Sequence, residues 1–275
     1  MHLSSHTWMR PEPLEHTLQR LVRLGYTSIE LAGEPDQFPV ASTRELLQKY
    51  NIKCWGTVTV MHGTRNLLAS DPQQRRNTIE YMKQVVNMSA ELGGQITTVV
   101  PGTVGTIFPS STPENEWKWA VDGLREVAAF AQAKALALAD EVGYGVGIAF
   151  DPFHLALEEK DLIAAIHACK SRIVDFHVGD NNRLAPGDGS FDWPKIMKAL
   201  AEAGYDGGLA VEFMPAIDRT PVGDYGKAQL ETGEVDVTPD QLQFIIDHGS
   251  GLLSETYYTE LLRRSAETLA PYVEK

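Results

Sequence analysis

Gly-Ile-Ala-Phe-Asp-Pro-Phe-His at 147–154 and Val-Asp-Phe-His-Val-Gly-Asp-Asn-Asn-Arg at 174–183 decide how the chain reads. Pro-Gly-Asp-Gly follows at 186–189 and Leu-Ala-Val-Glu-Phe at 209–213. Three short apolar runs each end in a side chain able to hold a divalent metal: Asp151, His177 and Glu212. Helical segments at 158–170 and 193–204 separate them, so the pattern is strand–helix–strand–helix–strand with polar groups at the carboxyl ends of the strands. Parallel α/β barrels carry their active sites at that end. Asp, His and Glu form a hard-to-borderline donor set, suited to one ion of Mn, Co, Mg or Zn.

The 275 residues suit a single domain of this kind, and 43% hydrophobic content supports a full core. No apolar run is long enough to span a bilayer, and Met-His-Leu-Ser-Ser-His at the start lacks the basic-then-apolar order of a secretory signal. Cys54 and Cys169 read as buried thiols, which gives a cytoplasmic expectation. A net charge of −13 argues against a nucleic-acid surface, and mildly against a strongly anionic substrate.

In chain order, strands are expected near 2–8, 27–32, 52–61, 95–100, 146–151, 172–178 and 208–213. Helices are expected at Pro11–Leu24, where Leu14, Leu18, Leu21 and Val22 share a side, at Thr43–Tyr50, and from the Asp71-Pro72 cap to Leu92. Glu114–Val142 reads as one long helix, so the strand–helix alternation skips a beat. The seven strands fall one short of the eight that close a barrel of this type. Residues 214–254 form a long excursion after the last strand, with a short helix at 239–247, before a final helix at Glu255–Tyr272. Long excursions on the catalytic side serve as lids or binding surfaces.

These residues resemble the sugar isomerase/epimerase family with the xylose-isomerase-like TIM barrel, which includes ketose 3-epimerases and inosose-processing enzymes. Its Asp-x-x-His pattern is matched by Asp151 and His154. Its His-x-x-Asp-x-x-Arg and Pro-Gly-x-Gly patterns are matched by His177, Asp180, Arg183, Pro186, Gly187 and Gly189, and its last-strand Glu by Glu212. The resemblance implies that Asp151, His177 and Glu212 are metal ligands. It implies that His154 and Arg183 hold sugar hydroxyls or enediolate oxygens, and that Trp117 and His6 line the substrate pocket. Asp180 is expected to orient His177 or its loop. His16 and His167 read as solvated helix residues, His248 as a loop residue, and His2 as lying at the amino end of its strand. His62, after the third strand, is a further pocket candidate. Pro-Gly-Asp-Gly lacks the Gly-Lys-Ser/Thr ending of a phosphate loop and reads as a tight turn.

One departure stands out. The family's fifth strand carries a Glu that serves as ligand and base. Here Phe130-Ala131-Gln132-Ala133-Lys134 runs straight into Ala135-Leu136-Ala137-Leu138. The implied function is metal-dependent isomerisation or epimerisation of a sugar or cyclitol through an enediolate. Glu212 and His154 are its catalytic candidates, and two-base epimerisation is impaired. Two rivals are a carbon–carbon glycosidic lyase subunit and a non-catalytic member that binds sugar or a partner. An open sheet edge beside the absent strand invites pairing, so a homo-oligomer or a partner subunit is expected.

Overall fold

A computed structural model describes residues 1–102, 109–133, 146–215, 239 and 253–274. The elements run β1 (His2–Ser5), α1 (Leu14–Arg23), β2 (Ser28–Ala32), α2 (Val40–Tyr50), β3 (Lys53–Val58), α3 (Pro72–Glu91), β4 (Ile96–Thr98), α4 (Pro113–Ala133), β5 (Ile148–Phe150), α5 (Pro152–Glu158), α6 (Leu162–Cys169), β6 (Ile173–Val178), α7 (Trp193–Glu202), β7 (Gly208–Val211) and α8 (Glu255–Leu269). Two compact units result: Met1–Glu30 with Glu45–Lys53 and Ile148–Lys275, and Leu31–Arg44 with Cys54–Gly147. Among the described residues no helix is long and apolar enough to cross a membrane.

The first unit is built on a four-stranded parallel sheet in the order β1-β7-β6-β5. Strands of a parallel sheet are covered on both faces and read as nearly continuous apolar runs. Phe150, Phe176, Leu209 and Val211 are accordingly inaccessible to solvent, and the Phe150 and Phe176 rings stack at 5.6 Å on adjacent strands. Helix α7 contributes the buried Trp193, Ile196, Met197 and Leu200, and α8 the buried Tyr258, Leu261 and Leu262. The register places His177 opposite Ala210 and Val178 opposite Val211. The residues just beyond β7 therefore come out beside the end of β6. That alignment brings the polar strand ends together.

A three-stranded sheet has the order β2-β3-β4. Helices α3 and α4 pack through a core containing Met82, Val85, Val86 and Val127. Asp71 accepts a hydrogen bond from the Gln73 N–H at 2.9 Å with Pro72 in the first turn, as the Asp-Pro pair predicts.

The structure corrects several boundaries. The helix expected at 158–170 is α6, shortened to Leu162–Cys169, and a separate helix, α5, precedes it. Asp151-Pro152 starts α5 early, Glu159 is extended, and Asp161 restarts the chain as α6 by accepting from Ile163 and Ala164 N–H at 3.0 and 3.1 Å. Val22, placed on the apolar side of α1, is 45% exposed. Helix α4 begins at Pro113 and is followed to Ala133. The Lys134–Ala135 junction, the rest of the expected Glu114–Val142 helix, and the 216–238 and 240–252 parts of the excursion lie outside the described residues.

Helix α1 is tied to α8 by Arg20, whose side chain is 1% exposed. Its guanidinium pairs with both Glu12 oxygens, while Nε donates to Thr259 Oγ1 at 2.9 Å. Arg20→Ala leaves the Glu12 carboxylate buried without its main counter-charge. It should destabilise the fold by about 3 kcal/mol in urea unfolding. Lys118→Ala removes only an exposed ion pair to Asp122 and should leave the unfolding midpoint almost unchanged. Equal losses in the two variants would contradict this assignment.

Candidate metal and substrate site

The sheet order β1-β7-β6-β5 sets four side chains in a row: His6 after β1, Glu212 after β7, His177 within β6 and Asp151 after β5. His177 Nδ1 lies 2.7 Å from Glu212 Oε2. Its Nε2 lies 3.0 Å from Asp175 Oδ2 and 3.7 Å from Glu30 Oε2. His6 packs edge-on against the His177 ring with centroids 4.5 Å apart. Among the described residues, two groups of three have donor atoms within 4.8 Å of one another: Asp151, His177 and Glu212, and His6, Glu30 and His177.

Arg183 covers the first group. Its guanidinium lies 3.4 Å from Asp151 Oδ2 and 3.4 Å from Glu212 Oε1, and stacks over the Phe153 ring at 4.4 Å. The backbone at Arg183 has φ +60°, a left-handed conformation that a branchless glycine adopts more readily. Neighbouring bonds hold it there. The Arg183 N–H donates to Asp180 O at 2.9 Å, and its own carbonyl accepts from Met214 N–H at 2.8 Å. Its backbone is thus pinned on both sides while its side chain reaches into the polar cluster.

Asp180 organises the loop that carries Arg183. Its carboxylate accepts from the N–H groups of Asn181, Gly187 and Phe191 at 2.9, 2.9 and 3.2 Å, and from Trp193 Nε1 at 2.9 Å. Burial alone would raise its pKa, but these four donors outweigh it and hold the carboxyl below its usual range. Asp180 thus orders the loop, while the partner of His177 is Asp175. The Pro-Gly-Asp-Gly run wraps this carboxylate so closely that a Cβ on Gly189 would overlap Asp180 Oδ1 and Asn181 Oδ1. Asp188 then pairs with Arg264 of α8.

Charge is concentrated at this cluster. Burial, then the neighbouring Glu212 charge, push the Asp151 carboxyl above its usual pKa, so the two carboxylates crowd each other. Burial would also raise Glu212, but the hydrogen bond and charge of His177 hold it well below the carboxylate range. Burial would lower His177, yet Asp175 and Glu212 hold it well above the usual histidine value. His6 has no such support: burial, then His177, push it down to about 3, and it stays a neutral imidazole. Two carboxylates and an imidazole converging on one point, with Arg183 only at 3.4 Å, fit a divalent ion in charge and donor type.

Asp151, His177, Glu212, Arg183 and His6 therefore lie together. His154 sits on α5, half exposed, with Nε2 3.5 Å from Asp151 Oδ2. Trp117 belongs to α4 of the second unit and is 74% exposed. His62 is in the same second unit, 3.1 Å from Glu34 Oε1, where Arg65 also pairs with Glu34. His2 opens β1. Sequence reasoning missed Glu30 and Asp175. The signal was present, because each is a carboxylate between apolar neighbours inside a strand, Ile29-Glu30-Leu31 and Val174-Asp175-Phe176. A charge in a strand covered on both faces requires a partner.

The family described as xylose isomerase-like TIM barrel matches residues 18–139 and 132–229, two stretches that overlap at 132–139. The D-psicose 3-epimerase of Ruminiclostridium cellulolyticum is 26% identical over 234 residues, covering 72% of this chain and 77% of that protein. The crystal structure of a D-allulose 3-epimerase from Methylomonas sp. in complex with D-allulose superposes with a TM-score of 0.75 at 18% identity, covering 99% of this chain and 97% of that one. The D-psicose 3-epimerase of Clostridium cellulolyticum H10 with D-tagatose gives 0.73 at 18% identity, covering 100% of both chains. At these identities the structural likeness establishes the shared TIM-barrel fold. The overlap at 132–139 contains the Lys134–Ala135 junction.

Gly189→Ala should displace the Asp180 carboxylate and loosen the whole 180–191 loop. A loss of about 1–3 kcal/mol in chemical denaturation is expected, as for other overpacked sites. An unchanged unfolding midpoint would contradict the close approach.

Proposed function

The chain belongs to the xylose isomerase-like TIM barrel family, and from that premise we propose that it is a divalent-metal-dependent isomerase or epimerase acting on a sugar or cyclitol through an enediolate. Ketose 3-epimerases are among its relatives, and it is a sugar isomerase/epimerase-like enzyme. The observation that carries the finer reading is the convergence of Asp151, His177 and Glu212 beneath Arg183. Those three residues would hold the ion. When bound there, a divalent ion polarises the substrate carbonyl and its neighbouring hydroxyl and offsets the negative charge that develops on proton removal.

The chain's own groups supply the remaining chemistry. The Glu212 carboxylate takes the proton from the carbon beside the carbonyl. The C–H electron pair becomes the new C=C bond of the enediolate, and the carbonyl π pair moves onto oxygen. Arg183, already placed against Asp151 and Glu212, holds the charged oxygen. His154, half exposed and one helical turn from Asp151, is placed to hydrogen-bond a sugar hydroxyl or share in proton transfer. Trp117 and His6 remain assigned to the substrate wall by the resemblance alone. Returning the proton to the same carbon from the opposite face inverts it, and that step needs a second base. In the family the fifth-strand Glu supplies it, and the sequence lacks that segment at Lys134–Ala135.

Free ketohexoses with added Mn or Co test this reading. Slow epimerisation is expected for this chain, with faster turnover after a Glu-bearing strand is inserted between Lys134 and Ala135. Arg183→Ala should lower turnover or raise KM while leaving bound metal unchanged. Rapid epimerisation by the unaltered chain would show that another group serves the second face. Unchanged kinetics in Arg183→Ala would remove that residue from the site.

A further inference from the structure

We propose that His6 is a fourth protein ligand of the divalent ion at Asp151, His177 and Glu212, an inference that rests on the metal reading of that site. β1 is the sheet neighbour of β7, so His6 stands next to Glu212 in the row of strand ends. Its side chain is wholly inaccessible to solvent, with Nδ1 3.2 Å from Glu30 Oε2 and Nε2 3.7 Å from Glu212 Oε2. Neither ring nitrogen has a hydrogen-bond partner among the described residues. With Nδ1 beside the Glu30 carboxylate, it is the buried Nε2 that lacks a partner, and such a group calls for an explanation such as an ion.

The surroundings favour one orientation. The Glu30 carboxylate beside Nδ1 stabilises the tautomer that carries its proton there, and this leaves the Nε2 lone pair on the Glu212 side. A carboxylate behind a histidine whose other nitrogen faces a ligating carboxylate is the arrangement that orients metal-bound imidazoles. The edge-on contact with His177 fixes the ring plane. Asp151, His177 and Glu212 supply three protein donors, and an octahedral divalent ion leaves positions beyond them. His6 Nε2, on the Glu212 side, offers a further nitrogen donor.

The decisive experiment uses the full chain labelled with 15N-histidine and titrated with cadmium-113, read by one-bond cadmium–nitrogen coupling. One equivalent of cadmium with two coupled histidine nitrogens is expected. One coupling should vanish in His6→Gln, which should bind cadmium about 10-fold or more weakly. The count in the unaltered protein decides the matter even if that variant fails to fold. A single coupled histidine on bound cadmium would overturn the role of His6 and leave the metal site standing. A second coupling lost in His154→Gln rather than His6→Gln would also overturn it. Two bound equivalents would overturn the shared ion in favour of a separate centre at His6, Glu30 and His177. No cadmium binding would overturn the metal reading together with this one.

Discussion

One buried imidazole, His177, meets carboxylates at both of its nitrogens: Glu212 at Nδ1, and Asp175 with Glu30 on the Nε2 side. Four strands converge on it, because Glu30 comes from β2, Asp175 and His177 from β6, Glu212 follows β7, and Asp151 follows β5. Charges this far from solvent persist only when paired and hydrogen-bonded. The parallel register that sets His177 opposite Ala210 is therefore a condition for the site to exist. A slip of one residue would turn each of these side chains to the other face of its strand.

The loop after β6 is a second rigid element. Asp180 draws four donors inward, Gly189 admits its carboxylate, and Asp188 anchors the turn to α8. Arg183 is held at φ +60° as a result, with its cation over Asp151 and Glu212. Preorganised charge of this kind stabilises developing negative charge without reorganising during the reaction. The loop supplies position, and the strand ends supply donors.

Much of this was legible in the sequence, for physical reasons. Asp151, His177 and Glu212 each terminate an apolar run, and the strand–helix–strand–helix–strand order points to their shared edge. Arg183 was legible through its spacing from His177. The break between α5 and α6 was hidden because Asp161 reads as an ordinary helical residue until the extended Glu159 shows it to be a cap. Asp175 and Glu30 escaped because attention went to strand ends, while they lie inside strands. Which carboxylate touches His177 depends on three-dimensional register: Asp175 touches the ring, and Asp180 orders the loop. His6 was expected in the substrate wall, and its full burial beside Glu212 is what the proposal of a ligand role rests on.

Solvent exchange at substrate carbon tests the central claim most directly, because it reports the first proton removal whether or not a second base completes the epimer. A ketohexose would be incubated with the chain in deuterium oxide, with and without Mn or Co. After chelation and removal of the metal, the sugar would be examined by mass spectrometry. The expected result is deuterium entering the carbon beside the carbonyl only when metal is added, and lost in Glu212→Gln. No incorporation with any metal, or equal incorporation in Glu212→Gln, would contradict the assignment of this site to proton transfer on a sugar.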